Sequence, residues 1–225
     1  MCFSTGASFC ASAVLSAIGV AVLKKVKAPH QILFASIPLI FAIQQFSEGF
    51  VWLYLSNPVF AWAKASPYLF LIFAQIIWPL WVPVSVTLLE TDVKRKRILA
   101  LFIGLGMLVS AYFAHRLWMV GVLPKINGHH VNYKQIYTDS LNHVADILYG
   151  SATLVPIFLS KIKRMWTFGL AVLIAYLVTY IFYVNYILSV WCFFSAIMSV
   201  LIYLIIRGVE INENKVANYK LLNYF

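Results

Sequence analysis

MWTFGLAVLIAYLVTYIFYVNYILSVWCFFSAIMSVLIYLII, residues 165–206, runs for 42 residues without a charged side chain. As one helix rising 1.5 Å per residue it would be ~63 Å long, about twice the ~30 Å hydrocarbon core of a bilayer. Its polar break, Tyr183-Val184-Asn185-Tyr186, predicts a hairpin of two crossing helices, 165–183 and 186–206. Five more apolar stretches precede this pair, at residues 3–23, 31–55, 68–89, 98–120 and 140–160. The fifth carries Asn142, His143 and Asp146 in its first turns. Charged residues make up 11% of the chain and hydrophobic ones 63%, against about 25% charged in soluble domains. No Gly/Ser linker, low-complexity tract or charged tail interrupts the spans. The expectation is an all-α, integral membrane bundle of seven transmembrane helices forming a single domain over residues 1–225.

Basic residues orient such a bundle, because Lys and Arg are retained on the cytoplasmic side. Lys24, Lys25 and Lys27 follow the first span, and Lys94, Arg95, Lys96 and Arg97 the third. Lys161, Lys163 and Arg164 follow the fifth, and Arg207, Lys215 and Lys220 the seventh. Those are thirteen of the 17 basic residues. Lys64, Lys125 and Lys134 fall on the other side, and Arg116 lies inside that end of the fourth span. The N-terminus is therefore expected outside and the C-terminus in the cytoplasm, which suits the inner (plasma) membrane of a bacterium. Retention and attraction to anionic headgroups account for the net charge of +10, so it gives no reason to invoke nucleic acid.

The first span has no basic region before it, so it reads as a retained helix and not as a cleaved signal. Ala7, Ser8, Ala11, Ser12 and Ser16 follow the four-residue repeat of small-residue packing in lipid. Cys10 and Cys192 read as small apolar fillers, and Cys2 sits at the exposed outer end. The first and last three spans show no convincing internal duplication of the kind found in many transporters. Two outer loops have substance. Residues 57–67 carry Trp62 and look interfacial, and 124–139 form the longest polar loop, with the turn Asn127-Gly128-His129-His130.

Ionisable and polar groups within the spans are the functional candidates, since hydrocarbon makes them costly. In the second span Gln45, Glu48 and Trp52 share a helical face, with Gln44 one turn before Glu48. The third carries Gln75-Ile-Ile-Trp78-Pro79-Leu-Trp81-Val-Pro83. Pro79 frees the carbonyl of Gln75 and Pro83 that of Pro79, and freed carbonyls at membrane depth either settle a kink or coordinate ions. His115 and Arg116 lie near the outer end of the fourth span. In the fifth, His143 and Asp146 are three apart and share a face. Neither pair has a metal-ligand spacing, and no cofactor is indicated. Arg116 paired with Glu48 or Asp146 is the simplest structural reading of these charges.

Alternating span directions bring these positions to one depth. Glu48, His115 and Arg116 come late in outward-running helices, whereas Gln75, His143 and Asp146 come early in inward-running ones. The sequence therefore predicts one polar site in the outer half, built from Gln44, Gln45, Glu48, Gln75, His115, Arg116, His143 and Asp146.

The opening Met1-Cys2-Phe3-Ser4 with Ala7-Ser8 resembles a group of small bacterial membrane proteins that form an uncharacterised family. Ile37-Pro38-Leu39-Ile40-Phe41, Gln44-Gln45 and Glu48-Gly49 to Trp52 resemble the same group, as do Trp78-Pro79 to Pro83. The resemblance implies a polytopic membrane protein and supplies no activity, cofactor or site residue. Retinal-binding seven-helix proteins would require a lysine in the last span, which has none. Zinc-dependent intramembrane hydrolases would require a late H-x-x-x-H pair, and no histidine follows His143.

Three functions suit these observations. The first is a transporter, channel or sensor of a small polar or ionic solute, in which Glu48, Arg116 and Asp146 set charge, the glutamines hydrogen-bond, and His115 or His143 offers a titratable ring. The second is an intramembrane enzyme using a metal, or Cys2 exposed as an N-terminal residue by loss of Met1. The third is an accessory subunit whose polar groups lock the helices together.

Overall fold

A computed structural model of the chain describes residues 4–128, 130–135, 142–182 and 194–209. Helix α1 (Thr5–Leu23) is capped by Ser4, whose Oγ accepts from Ala7 N at 3.2 Å. That bond satisfies one of the orphan N–H groups at a helix start. Ser8 and Ser12 are buried, and Ser12 Oγ donates to Ala42 O at 2.8 Å. A Cβ on Gly19 would lie 2.5 Å from Leu39 Cδ2, and one on Gly49 would lie 2.6 Å from the Phe9 ring. The small-residue stripe is thus the seam along which α1 meets the second span. Cys10, expected as a filler, is exposed instead. Cys2, Cys192 and the Tyr183–Tyr186 turn lie outside the described residues.

The second span is not one helix. A 3-10 turn (Pro29–Gln31) and α2 (Ile32–Ala35) lead to α3 (Ile37–Ser56). Pro38 cannot donate to the carbonyl of Phe34, so the chain re-starts at Ser36, whose Oγ donates to Leu33 O at 2.9 Å. The third span is broken more strongly. A 3-10 segment (Pro58–Ala65) is followed by α4 (Ser66–Leu71), a π-helical turn (Ile72–Ile77) and α5 (Trp78–Leu89). The π turn ends two residues before Pro79, so the missing N–H falls in the first turn of α5, just past the widened stretch of the ladder.

Helix α6 (Val93–Val120) starts earlier than expected, because Asp92 Oδ1 accepts from Lys94 N at 2.9 Å and Arg95 N at 3.2 Å. Lys94, Arg95, Lys96 and Arg97 therefore stand on the first helical turns and not in a loop. Gly121, at φ 70°, ends the helix in a conformation open to glycine.

The expected polar loop holds a β-hairpin, β1 (Leu123–Asn127) paired antiparallel with β2 (His130–Lys134), in the register Leu123↔Lys134 to Asn127↔His130. The turn between the paired Asn127 and His130 contains Gly128, at φ 59°, a left-handed conformation that glycine adopts without strain. Helices α7 (Asn142–Leu159), α8 (Met165–Phe182) and α9 (Phe194–Val209) follow. Four helical stretches, Thr5–Leu23, Pro29–Ser56, Val59–Leu89 and Val93–Val120, are long and apolar enough to cross a bilayer. Three shorter apolar helices complete a set of seven among the described residues, so the architecture is a helical membrane protein compatible with a seven-helix bundle.

Helix α5 is central, touching α2, α6 and α7, while α1 lies along α3. One apolar core fills the end that carries the basic residues, with Phe34, Leu89, Leu99, Ile157, Met165 and Ile206 buried together. A smaller one fills the opposite end, where Val131 of the hairpin joins Val51, Phe70 and Leu117. Tyr133 stacks on Phe70 at 4.6 Å with the rings 8° apart. The hairpin is thus packed onto the helix ends as a cap.

Candidate functional site

Helix α3 carries four polar side chains that are almost wholly enclosed: Gln44 is 1% exposed, Gln45 0%, Ser47 1% and Glu48 0%. Helix α1 covers one flank of α3, and the third span contributes Trp78 on another. Ser47 returns its hydroxyl to Ile43 O within its own helix, at 2.9 Å. Gln45 Nε2 donates to Glu48 Oε2 at 3.3 Å, the i,i+3 contact the helical spacing implies. Trp78 Nε1 donates to Gln44 Oε1 at 2.8 Å, and the Trp78 ring lies 4.4 Å from that of Phe41. Trp52, one turn beyond Glu48, is buried, with its indole N–H unmatched among the described residues.

The broken third span lies beside this group. Gln75, in the π turn, forms an amide pair with Gln135 just after the hairpin: Gln75 Nε2 to Gln135 Oε1 is 3.1 Å and the return contact 3.5 Å. Carbonyls of the π turn are taken up by other helices. Tyr149 Oη donates to Ala74 O at 2.7 Å from α7, and Ser110 Oγ donates to Ile76 O at 2.7 Å from α6. Pro79 O, freed by Pro83, lies against Gly106, where a Cβ would be 2.0 Å away. Ala74 O and Ile76 O thus act as stitches between helices.

Arg116 is buried at 6% exposure. Its Nη1 donates to Tyr112 Oη at 2.7 Å, and the guanidinium sits 5.1 Å from the Tyr112 ring centre. Asp146 is within electrostatic reach of Arg116 and of His143. The side chains of His115, His143 and Asp146 are exposed. The eight predicted residues therefore separate into a buried set, Gln44, Gln45, Glu48, Gln75 and Arg116, and an exposed set on α6 and α7. Tyr149 connects the two regions, since it bonds to the π turn and packs beside Val109, Phe113 and Ala145.

Sequence reasoning missed Gln135, Tyr149 and Ser110 as partners of the broken span. The one available signal was the alternation of Ile126, Val131 and Tyr133 around Asn127-Gly128, which marks a hairpin. Among the described residues no three His, Cys, Asp or Glu side chains gather closely enough to hold a metal ion. Cys2, the reactive centre of the enzymatic alternative, lies outside them.

A second polar assembly, at the basic end, was not anticipated. Glu90, 1% exposed, caps two chain segments at once. Its Oε1 accepts from Thr91 N at 2.9 Å and Asp92 N at 3.2 Å. Its Oε2 accepts from Lys161 N at 2.8 Å and Ser160 Oγ at 3.0 Å. Burial pushes this carboxyl up, but the backbone N–H groups of Lys161, Asp92 and Thr91, with the Ser160 hydroxyl, outweigh it and hold Glu90 below its ordinary value. Asp92 Oδ2 meets Lys161 Nζ at 2.8 Å, and that bond first, then the Arg95 N–H, also lowers Asp92. Arg95 Nη1 donates to Leu159 O, tying the start of α6 to the end of α7.

Long apolar helices, buried amides and a carboxylate among them define a polytopic α-helical membrane protein. More particularly, the chain belongs to a family of unknown function, DUF6629, whose profile matches residues 1–217. No curated protein and no solved structure matches it.

Proposed function

We propose that the protein is a transporter, channel or sensor of a small polar or ionic solute, acting as one seven-helix domain in a bacterial inner membrane. Its N-terminus and hairpin face outward, an orientation supported by the basic residues gathered at the opposite end. The observation that carries the reading is Glu48, a completely enclosed carboxylate set with Gln44 and Gln45 in a membrane helix. At mid-bilayer such a group costs ~2.5 kcal/mol or more, so a chain that only had to pack would place apolar residues there.

The chemistry is suited to exchange. Amides both donate and accept, and a carboxylate accepts or carries a proton, so the internal bonds of Gln44, Gln45, Glu48 and Gln75 can be traded for bonds to a solute. Arg116 adds a buried positive charge. Asp146, His115 and His143 line the approach along α6 and α7.

The test is thermal denaturation of the purified protein against a panel of inorganic cations, amino acids and small polyols, followed by uptake into proteoliposomes. A solute that stabilises the parent protein should have no effect on Glu48→Gln, and undiminished solute binding by that variant would overturn the assignment. The accessory-subunit reading is favoured by the internal pairing of Gln44 with Trp78 and of Gln75 with Gln135. It differs in expecting Glu48→Gln to lower stability without any solute dependence.

A further inference from the structure

Between the start of α6 and the end of α7 lies a half-open groove of about 330 Å³, lined by Arg95, Ile98, Phe158 and Leu159. We propose that this groove binds one anionic phospholipid, with the phosphate on Arg95 and an acyl chain along Ile98 and Phe158. The site is distinct from the buried group around Glu48 and does not depend on the function assigned to it.

Depth is the first argument. Helix α6 has 28 residues, about 42 Å at 1.5 Å each, against a hydrocarbon core of ~30 Å. Its first turns therefore stand in the headgroup layer, and apolar sequence begins at Ile98. Arg95 lies at headgroup depth, with Ile98 and Phe158 immediately below it, 47% and 43% exposed. A phospholipid has this order of polar and apolar parts, whereas a soluble anion lacks the lower half.

Charge is the second. Lys94, Arg97, Lys163 and Arg164 are exposed at the same end of the bundle as the groove. The nearby acids are already engaged, Glu90 with backbone N–H groups and Asp92 with Lys161 and the α6 N-terminus. Arg95 is left as the basic group within the groove, at an end of the bundle rich in exposed Lys and Arg. Arg95 is held in place by its bond to Leu159 O, so its planar fork is preorganised for phosphate oxygens. Basic pockets between helices on this side of a membrane are the expected form of such sites.

Native mass spectrometry and thermal denaturation of the full chain in non-ionic detergent test this, with phosphatidylglycerol, phosphatidylcholine and glycerol phosphate as probes. One phosphatidylglycerol should remain bound and stabilise the protein, while the other two should not. Arg95→Ala should weaken that binding about fivefold, the share of one basic residue near an anionic surface. Because Arg95 also ties α6 to α7, Ile98→Trp provides the independent variant: it fills the groove from a lipid-facing position and leaves every charge in place. It should weaken binding as much, and unchanged binding by Ile98→Trp would reduce the effect to diffuse surface charge and overturn the site. Equal retention of phosphatidylcholine would refute the charge selectivity, and protection by glycerol phosphate would make this a soluble-anion site.

Discussion

Replacing Gly106 with alanine should separate the two helices at the centre of the bundle. The added Cβ would sit 2.0 Å from Pro79 O and 2.9 Å from Pro79 C, whereas ordinary contact begins at 3.4 Å. The obstructing atoms are backbone, so no rotamer change relieves the clash, and α6 must retreat from α5 by about 1.4 Å. One turn along, Ser110 Oγ lies 2.7 Å from Ile76 O, and the same retreat takes that bond out of range. Overpacking costs about 1–3 kcal/mol, and an interhelical hydrogen bond in a membrane protein averages about 0.6 kcal/mol, so the expected loss is near 2–3 kcal/mol. Gly104, two residues away on the same helix with nothing within 4 Å, is the control. Gly104→Ala should be neutral or gain about 0.5–1 kcal/mol from helix propensity. Equilibrium unfolding in mixed detergent micelles, read by circular dichroism, compares the two. A Gly106→Ala protein within about 0.5 kcal/mol of Gly104→Ala would refute the close approach of α6 to Pro79, because overpacking on that scale cannot go unnoticed.

Glu48→Gln should keep the fold and its elution profile while removing solute-dependent stabilisation, measured as the change in Tm with and without the solute. Tyr149→Phe should cost about 1–3 kcal/mol in the same unfolding assay, because Ala74 O loses the hydroxyl that satisfies it in a buried setting. Glu90 is held below its ordinary value of 4.5, so its contribution to stability is complete above that pH and is lost as pH falls through the lower folded value. Glu90→Gln should therefore flatten the acid limb of the stability profile below about pH 4.5, with a limb identical to the parent's counting against the capping role. A single cysteine beside Lys134 should react with an impermeant maleimide in intact cells, and one at Lys96 should do so only after permeabilisation.

The helical membrane architecture was legible because hydropathy acts over twenty-residue windows and tolerates local error. The span 98–120 was found although its helix begins at Val93, where Asp92 caps it and carries the basic turns into the headgroup layer. What hydropathy cannot see is backbone irregularity. Pro79 marked a break in the third span, but nothing in the sequence announces a π turn over Ile72–Ile77 in place of a simple kink. The hairpin was hidden for a related reason: five-residue strands give little periodicity, and its apolar positions face helix ends far away in the chain. For the site, spacing on one helix was enough to join Gln45 to Glu48. Joining Gln75 to Gln135 required knowing how the segment after β2 returns over the bundle, information carried by tertiary packing alone. Glu90 escaped notice because an acidic residue at a span end reads as ordinary loop. Its burial follows from the loop between α7 and α8, which turns Lys161 N and the Ser160 hydroxyl toward it.

The two ends of the molecule are held by bonds of different kinds, charged at one and neutral at the other. At the basic end Glu90 accepts from three backbone N–H groups and one hydroxyl, and Asp92 holds Lys161. Hydrogen bonds to charged groups contribute about 1.5–3 kcal/mol each, and loosening α5 from the α7–α8 turn sacrifices the two that buried Glu90 accepts from Lys161 N and Ser160 Oγ. At the hairpin end the ties include the neutral Gln75–Gln135 pair, the stacked Phe70 and Tyr133, and Val131 buried with Val51 and Leu117. A neutral bond contributes about 1 kcal/mol and an aromatic pair about 0.5–1.5 kcal/mol beyond its buried area. Lifting the hairpin strand would also expose Val131, and burying an apolar side chain of that kind contributes about 1.5–3 kcal/mol. Under the proposed function, a solute reaching Glu48 from the hairpin side would recover part of that cost through the amides it engages. Access from the basic end would have no such compensation.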